Sequence, residues 1–256
     1  MRSKAWAQTW SVMRLAMAAL IIAAVVAQLA KSLSTAAELG RDVGTTLANF
    51  FSFFTILSNS LTAVVLIWAA VWFFTRGRQA DAEPPALALS LACVTTYMII
   101  TGVVYNLLLR QIELDQGSAP IPWSNEVLHL IGPLFLLADL FVGPLRRALP
   151  WRAVWAIIAF PILWVLYTML RGSLVTNPVT GDPYWYPYPF LNPYGSGGWS
   201  TVMFWIVVIS TAFLVLATLI VWWGRRVGAE RELDHLTGDH LEDEWGEARQ
   251  AEVEGR

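Results

Sequence analysis

Six long apolar stretches, at residues 10–30, 50–74, 86–109, 124–142, 153–170 and 202–223, set the hydropathy pattern of this chain. Each is close to the ~20 residues that a helix needs to cross a bilayer's hydrocarbon. In hydrocarbon a segment must satisfy its own backbone N–H and C=O groups, so each stretch is predicted to be helical. Most connections are short, which makes successive helices antiparallel neighbours. The expected fold is all-α: a polytopic membrane protein with about six transmembrane helices in one bundle, crossing the cell membrane several times. No internal repeat of the kind that builds inverted-repeat transporters is evident.

The connections carry different charges. Arg2, Lys4, Arg14, Arg76, Arg78, Arg146, Arg147, Arg152, Arg225 and Arg226 belong to the N-terminus, loops two and four, and the start of the tail. Lys31, Arg41, Arg110 and Arg171 are the only bases of the other three loops. The positive-inside rule then predicts cytoplasmic N- and C-termini, with loops one, three and five outside. The basic start precedes a run of full membrane length, so a retained first helix is expected rather than a secretory signal. Loop five, residues 177–195, is rich in proline, which prevents a continuous helix. Its Tyr and Trp suit the headgroup region. Two readings compete: a plain aromatic belt, or a loop that caps the bundle. Beyond Trp223 the chain turns polar and acidic. Residues 1–227 are expected to form the membrane domain, and 228–256 a solvated cytoplasmic tail, disordered or helical in part.

Composition narrows the chemistry. The net charge of -2 hides a concentration of acids in the tail, and no basic stripe points to nucleic acid. The single cysteine, Cys93, cannot form a disulfide or a Cys-rich metal site within one chain. A bis-histidine haem needs two axial histidines, and the apolar stretches hold only His129. Zinc needs three or four ligands; His129 with Glu126, or His235 with His240 in the tail, fall short. Neither a cofactor nor a metal is expected. Glycine-rich phosphate loops and nucleophile-elbow motifs are also missing.

What stands out is the set of polar residues inside the spans. The fourth carries Asn125, Glu126, His129 and Asp139, and an ionisable group in hydrocarbon is expensive enough to imply function. Glu126 and His129 are three apart and are expected to touch on a helix. In the second span Ser52, Thr55, Asn59 and Thr62 follow a three-four-three spacing on one helical face. Such a stripe is either helix-bridging or cavity-lining. The third span offers Tyr97, Thr101 and Tyr105 at fourfold spacing, with Asn106 beside the last. Counting 1.5 Å per residue places Thr55 roughly 9 Å and His129 roughly 8 Å below the same rim, with Tyr105, Asn106 and Glu126 in that layer. Asp139 lies roughly 15 Å farther in and is expected to meet Arg146, Arg147 or interfacial water instead.

A hydroxyl nucleophile with a histidine base is the chemistry these residues leave open. Thr55 would attack a lipid ester carbonyl after giving its proton to His129. Glu126 or Asn125 would fix the imidazole tautomer. Asn59, Tyr105 or Asn106 would donate to the oxyanion. The alternatives are a non-enzymatic carrier or receptor, small-molecule or proton-coupled, in which His129 and Glu126 bind the ligand or proton, and a structural membrane protein whose polar residues only pack helices.

Two stretches carry a family resemblance: Phe53-Phe54-Thr55-Ile56-Leu57-Ser58-Asn59, and the run from Leu128-His129 through Gly132-Pro133 to Ala138-Asp139. They resemble the androgen-induced-gene and androgen-dependent TFPI-regulating (ADTRP) family, and the chain is similar to its bacterial six-helix branch. The resemblance implies an atypical threonine hydrolase acting on fatty acid esters of hydroxy fatty acids. It places the nucleophile at Thr55 and the membrane histidine at His129. Pro133 stands roughly one position early against the family pattern, and the loop Tyr186-Pro187-Tyr188-Pro189-Phe190-Leu191 resembles the bacterial branch rather than the animal one. A membrane lipid or fatty-acid ester is the partner this implies.

Overall fold

The computed structural model of the chain describes residues 4–112 and 118–254, with side chains described as far as Val227. Arg2 and the tail histidines His235 and His240 therefore lie outside the described side chains. Among the described residues, and apart from two short 3-10 turns, seven helices follow one another: α1 (Lys4–Glu38), α2 (Val43–Phe50), α3 (Phe54–Thr75), α4 (Pro85–Leu109), α5 (Pro122–Val142), α6 (Ala153–Gly172) and α7 (Gly198–Glu254). All but α2 contain a stretch long and apolar enough to cross a membrane, that of α7 being Gly198–Val227. The described residues contain no strand. The chain is thus an all-α, six-span membrane bundle.

α4 is the centre of the bundle and the most enclosed of the six spans. α1 lies along α3, α3 along α4, α4 against α5, and α7 packs on both α4 and α6. Small residues set these approaches. Ala18 and Ala24 on α1, and Ala63, Ala69 and Ala70 on α3, are all buried. Helices in lipid gain little from hydrophobic burial and much from close van der Waals contact, which small side chains permit. A Cβ built on Gly102 of α4 would stand 2.8 Å from the Pro133 side chain of α5, so these two backbones are as close as a glycine allows.

The second apolar stretch is not one helix. Asp42 caps α2 by accepting from the Thr45 amide at 2.6 Å. The chain then breaks at residues 51–53, and α3 begins after an extended Phe53. The break is held from α6: Tyr167 shares a hydrogen bond with the Ser52 hydroxyl (2.9 Å), and Trp164 Nε1 donates to the Ser52 carbonyl (3.0 Å). Arg171 Nη2 donates to Asn49 Oδ1 at 2.7 Å. Loop five does more than line the rim. Trp185, Tyr188 and Leu191 are buried, and Phe53 packs edge-on against both aromatic rings.

At the other end of the bundle Asp139 is fully buried. It accepts from Arg14 Nε at 2.8 Å and Nη2 at 3.1 Å, and from Arg146 and the Trp10 indole. The expected Arg146 contact is made. The Arg14 contact, from within α1, was not anticipated; two guanidinia and an indole together offset the desolvation of one carboxylate. Arg147 turns instead to the Glu83 carbonyl.

Candidate functional site

Thr55 is the second residue of α3, so it occupies the first helical turn rather than a position roughly 9 Å along a continuous helix. The break at residues 51–53 makes the difference. First-turn amides have no intrahelical acceptor, and the Thr55 N–H points to the Tyr188 hydroxyl oxygen at 3.4 Å. The Thr55 hydroxyl is also 3.4 Å from that oxygen. Tyr188, a residue of loop five, therefore sits over the α3 N-terminus, against the functional threonine candidate. Burial pushes its pKa up, so the phenol stays protonated well past neutral pH.

His129 is presented by a distorted turn of α5. The Gly132 N–H bonds to the Val127 carbonyl, five residues back, in place of the usual four. Such π-turns shift the helix face and free a carbonyl. Here Leu128 O is freed by the wider turn, and the next carbonyl, His129 O, faces Pro133, which has no N–H to offer. Both carbonyls find side-chain amides from neighbouring helices. Asn59 Nδ2 donates to Leu128 O at 3.2 Å and to Thr55 O at 2.9 Å. Asn106 Nδ2 donates to His129 O at 3.0 Å and to Gly102 O at 2.8 Å. Both hydrogens of each amide are engaged. Asn59 and Asn106, expected as oxyanion donors, instead secure the turn that carries the histidine.

The imidazole itself is 7% exposed and stacks on the Tyr105 ring, centroids 3.7 Å apart. Its Nδ1 lies 3.0 Å from the Asn125 carbonyl. A carbonyl oxygen only accepts, so Nδ1 carries the proton and Nε2 of the neutral ring is left as an acceptor. Of the two residues expected to fix the tautomer, Asn125 does so, through its backbone carbonyl rather than its side chain. The Asn125 amide goes to the Tyr105 hydroxyl at 2.6 Å, which keeps the stacked ring in place. Glu126 does not touch His129; the widened turn separates them, and Glu126 pairs at the half-exposed rim with Arg110.

Thr55 and His129 make no hydrogen bond to each other. They line one small cavity of about 30 Å³, together with Tyr105, Asn125 and Tyr188. A space of that size holds a water, and hydroxyl and ring-nitrogen partners are present to bind it. Thr55, Tyr105 and Tyr188 also line a second, larger cavity of about 280 Å³. Its remaining walls are largely apolar, among them Ile100 of α4, Pro161 of α6, and Phe213 and Leu214 of α7. Thr55 thus borders both the small cavity that His129 lines and the larger, largely apolar chamber. Ser52 and Thr62 of the expected stripe serve packing: Ser52 joins Tyr167, and Thr62 bonds back to the Ser58 carbonyl. Ser58, outside the stripe, bridges to Thr101 at 3.2 Å.

Tyr188 is the member of this site that sequence reasoning did not single out. Its loop drew notice for Pro and aromatic content, but nothing local marks one tyrosine among Tyr184, Tyr186, Tyr188 and Tyr194. Among the described residues no group of His, Cys, Asp and Glu has metal-site geometry. Compared with protein-family models, curated proteins and solved structures, the chain matches none.

Proposed function

We propose that this integral membrane protein hydrolyses lipid esters, with Thr55 as nucleophile and His129 as general base. The observation that carries the reading is the shared wall: Thr55 borders both the histidine nook and the apolar chamber. An acyl chain in the chamber would bring its ester carbonyl to Thr55. His129 Nε2, across the small cavity, would take the threonine proton directly or through one water. The hydroxyl oxygen bonds to the carbonyl carbon and the oxyanion forms beside the α3 N-terminus and the Tyr188 O–H. Collapse expels the alcohol, which takes its proton from the imidazolium. Water, deprotonated by the same histidine, then releases the acid from the acyl-threonine. The family resemblance of the Thr55 and His129 stretches supports the same pair, and the distribution of basic residues supports termini on the cytoplasmic side.

A ligand-binding protein without chemistry is the second reading. It is favoured by one contact, the Thr55 hydroxyl turned to Tyr188 rather than to His129. A fluorophosphonate probe on the purified protein separates the two. Labelling of the wild type that disappears in both Thr55→Ala and His129→Ala supports the hydrolase. Labelling that persists in both variants, or no labelling with tight retention of a fatty ester, supports the binding protein.

A further inference from the structure

A third cavity, about 220 Å³, lies at the end of the bundle away from Thr55, between the start of α4, the end of α5 and the last membrane turns of α7. Its polar lining is Glu83, Arg146 and Arg147; Phe141, Val221 and Trp223 form much of its apolar wall. Glu83 is 1% exposed. Its backbone is clamped on both sides, the N–H donating to Leu145 O at 2.8 Å and the carbonyl accepting from Arg147 Nε at 2.6 Å. Leu145 adopts a left-handed φ of 57° to offer that carbonyl, a conformation that non-glycine residues avoid. Yet both Glu83 carboxyl oxygens accept no hydrogen bond from any described residue. A buried carboxyl group without a donor is costly, and it lines a cavity where a donor could stand.

The surrounding charges narrow the occupant. The guanidinia of Arg146 and Arg147 stand on the cavity wall beside the Glu83 carboxyl, and Arg14 lies behind them with Asp139. A phosphodiester carries one negative charge and is the anion that guanidinia bind best. The apolar wall, continuous with membrane-spanning helices, suits glycerol and the first acyl carbons rather than a free ion. We propose that this cavity is a headgroup site for a glycerophospholipid whose headgroup bears a hydrogen-bond donor. The phosphate rests on Arg146 and Arg147, the headgroup amine or hydroxyl donates to Glu83, and the acyl chains leave along Phe141 and Trp223. The site shares no residue with the Thr55 nook, so it stands or falls independently of the hydrolase reading.

Melting of the full chain in detergent, followed by tryptophan fluorescence, tests this with four additives: phosphatidylethanolamine, phosphatidylglycerol, phosphatidylcholine and inorganic phosphate. The first two are expected to raise the melting temperature in a saturable manner. Phosphatidylcholine, which has no headgroup donor, should bind about tenfold more weakly, the loss expected for one hydrogen bond to a charged group. Arg147→Gln should weaken all three lipids, and Glu83→Gln should narrow the gap between phosphatidylethanolamine and phosphatidylcholine. Equal shifts from all three lipids in wild type and Arg147→Gln would mean ordinary annular lipid and overturn the proposal. So would inorganic phosphate reproducing the whole shift, which would mark a free-anion site. If the variants fail to fold, native mass spectrometry of the wild type decides: a retained donor-bearing phospholipid supports the site, and retention of phosphatidylcholine or of nothing rejects it.

Discussion

The side-chain amide of Asn106 donates to the backbone carbonyl of His129 at 3.0 Å, supplying the hydrogen bond that Pro133 cannot. This contact ties the position of the imidazole to the α4–α5 interface. Replacing Asn106 with leucine orphans that carbonyl and should destabilise the protein by about 1–3 kcal/mol. Pro133→Ala in the same background returns an N–H one turn along the helix, so part of that loss should be recovered. Thermal unfolding of the two single variants and the double variant measures the coupling. Additive losses would show that the amide and the proline act separately.

For the chemistry, His129→Ala should lower ester hydrolysis by about 10²–10⁴-fold, the usual contribution of a general base, with little change in melting temperature. Glu126→Gln should leave the rate almost unchanged, because Glu126 pairs with Arg110 at the rim and such exposed pairs contribute little. A large effect of Glu126→Gln on the rate would mean that the carboxylate, not the Asn125 carbonyl, orients the ring.

Tyr188→Phe removes one O–H from the α3 N-terminus while keeping the ring that packs on Phe53 and Trp164. Loss of one oxyanion donor typically lowers kcat by about 10²–10³-fold. The expected signature is a fall in kcat with KM nearly unchanged. A rise in KM alone would reduce Tyr188 to a wall of the chamber.

The Asp139 cluster should behave as a unit. Arg14→Met leaves a buried carboxylate short of a partner, and Asp139→Leu strands Arg14; each should cost about 3–5 kcal/mol. Combining the two removes both charges and should cost less than the sum. Denaturation of the double variant in detergent is the measurement, and a sum equal to the two singles would show that the charges are independently hydrated.

Glu83 predicts a pH dependence. Burial, the largest influence, holds its carboxyl above the ordinary value of 4.5, against the pull of Arg146 and Arg14. The unfolded chain then releases this proton at lower pH than the folded chain does. Stability should therefore fall as pH rises from about 4.5 through the folded pKa, and level off above it. In lipid-depleted detergent, Glu83→Gln should flatten that part of the curve. An unchanged slope in the variant would assign the effect to another group.

Sequence and structure divide at identifiable points. Hydropathy located all six spans, because the length and apolarity of a membrane helix are local properties of the chain. The scarcity of charges in hydrocarbon picked out His129 and Asp139 for the same reason. The periodicity of a regular helix misplaced Glu126 against His129 and ran the second span straight through residues 51–53. Both errors have one cause: a π-turn and a helix break are stabilised by side chains from other helices, Asn59 and Asn106 in one case, Tyr167, Trp164 and Arg171 in the other.

By itself, then, the sequence determined how many times the chain crosses, where each crossing lies and which polar groups are carried into the membrane. Only the tertiary structure decided what the polar groups meet: that Tyr188 comes down from a loop onto Thr55, that Arg14 reaches Asp139 across 125 residues, and that Glu83 is enclosed with no donor among the described residues. A span forms from its own backbone hydrogen bonds and its own apolar surface. A buried polar group has no such local solution, and its partner is whichever side chain the packing of distant helices brings within reach.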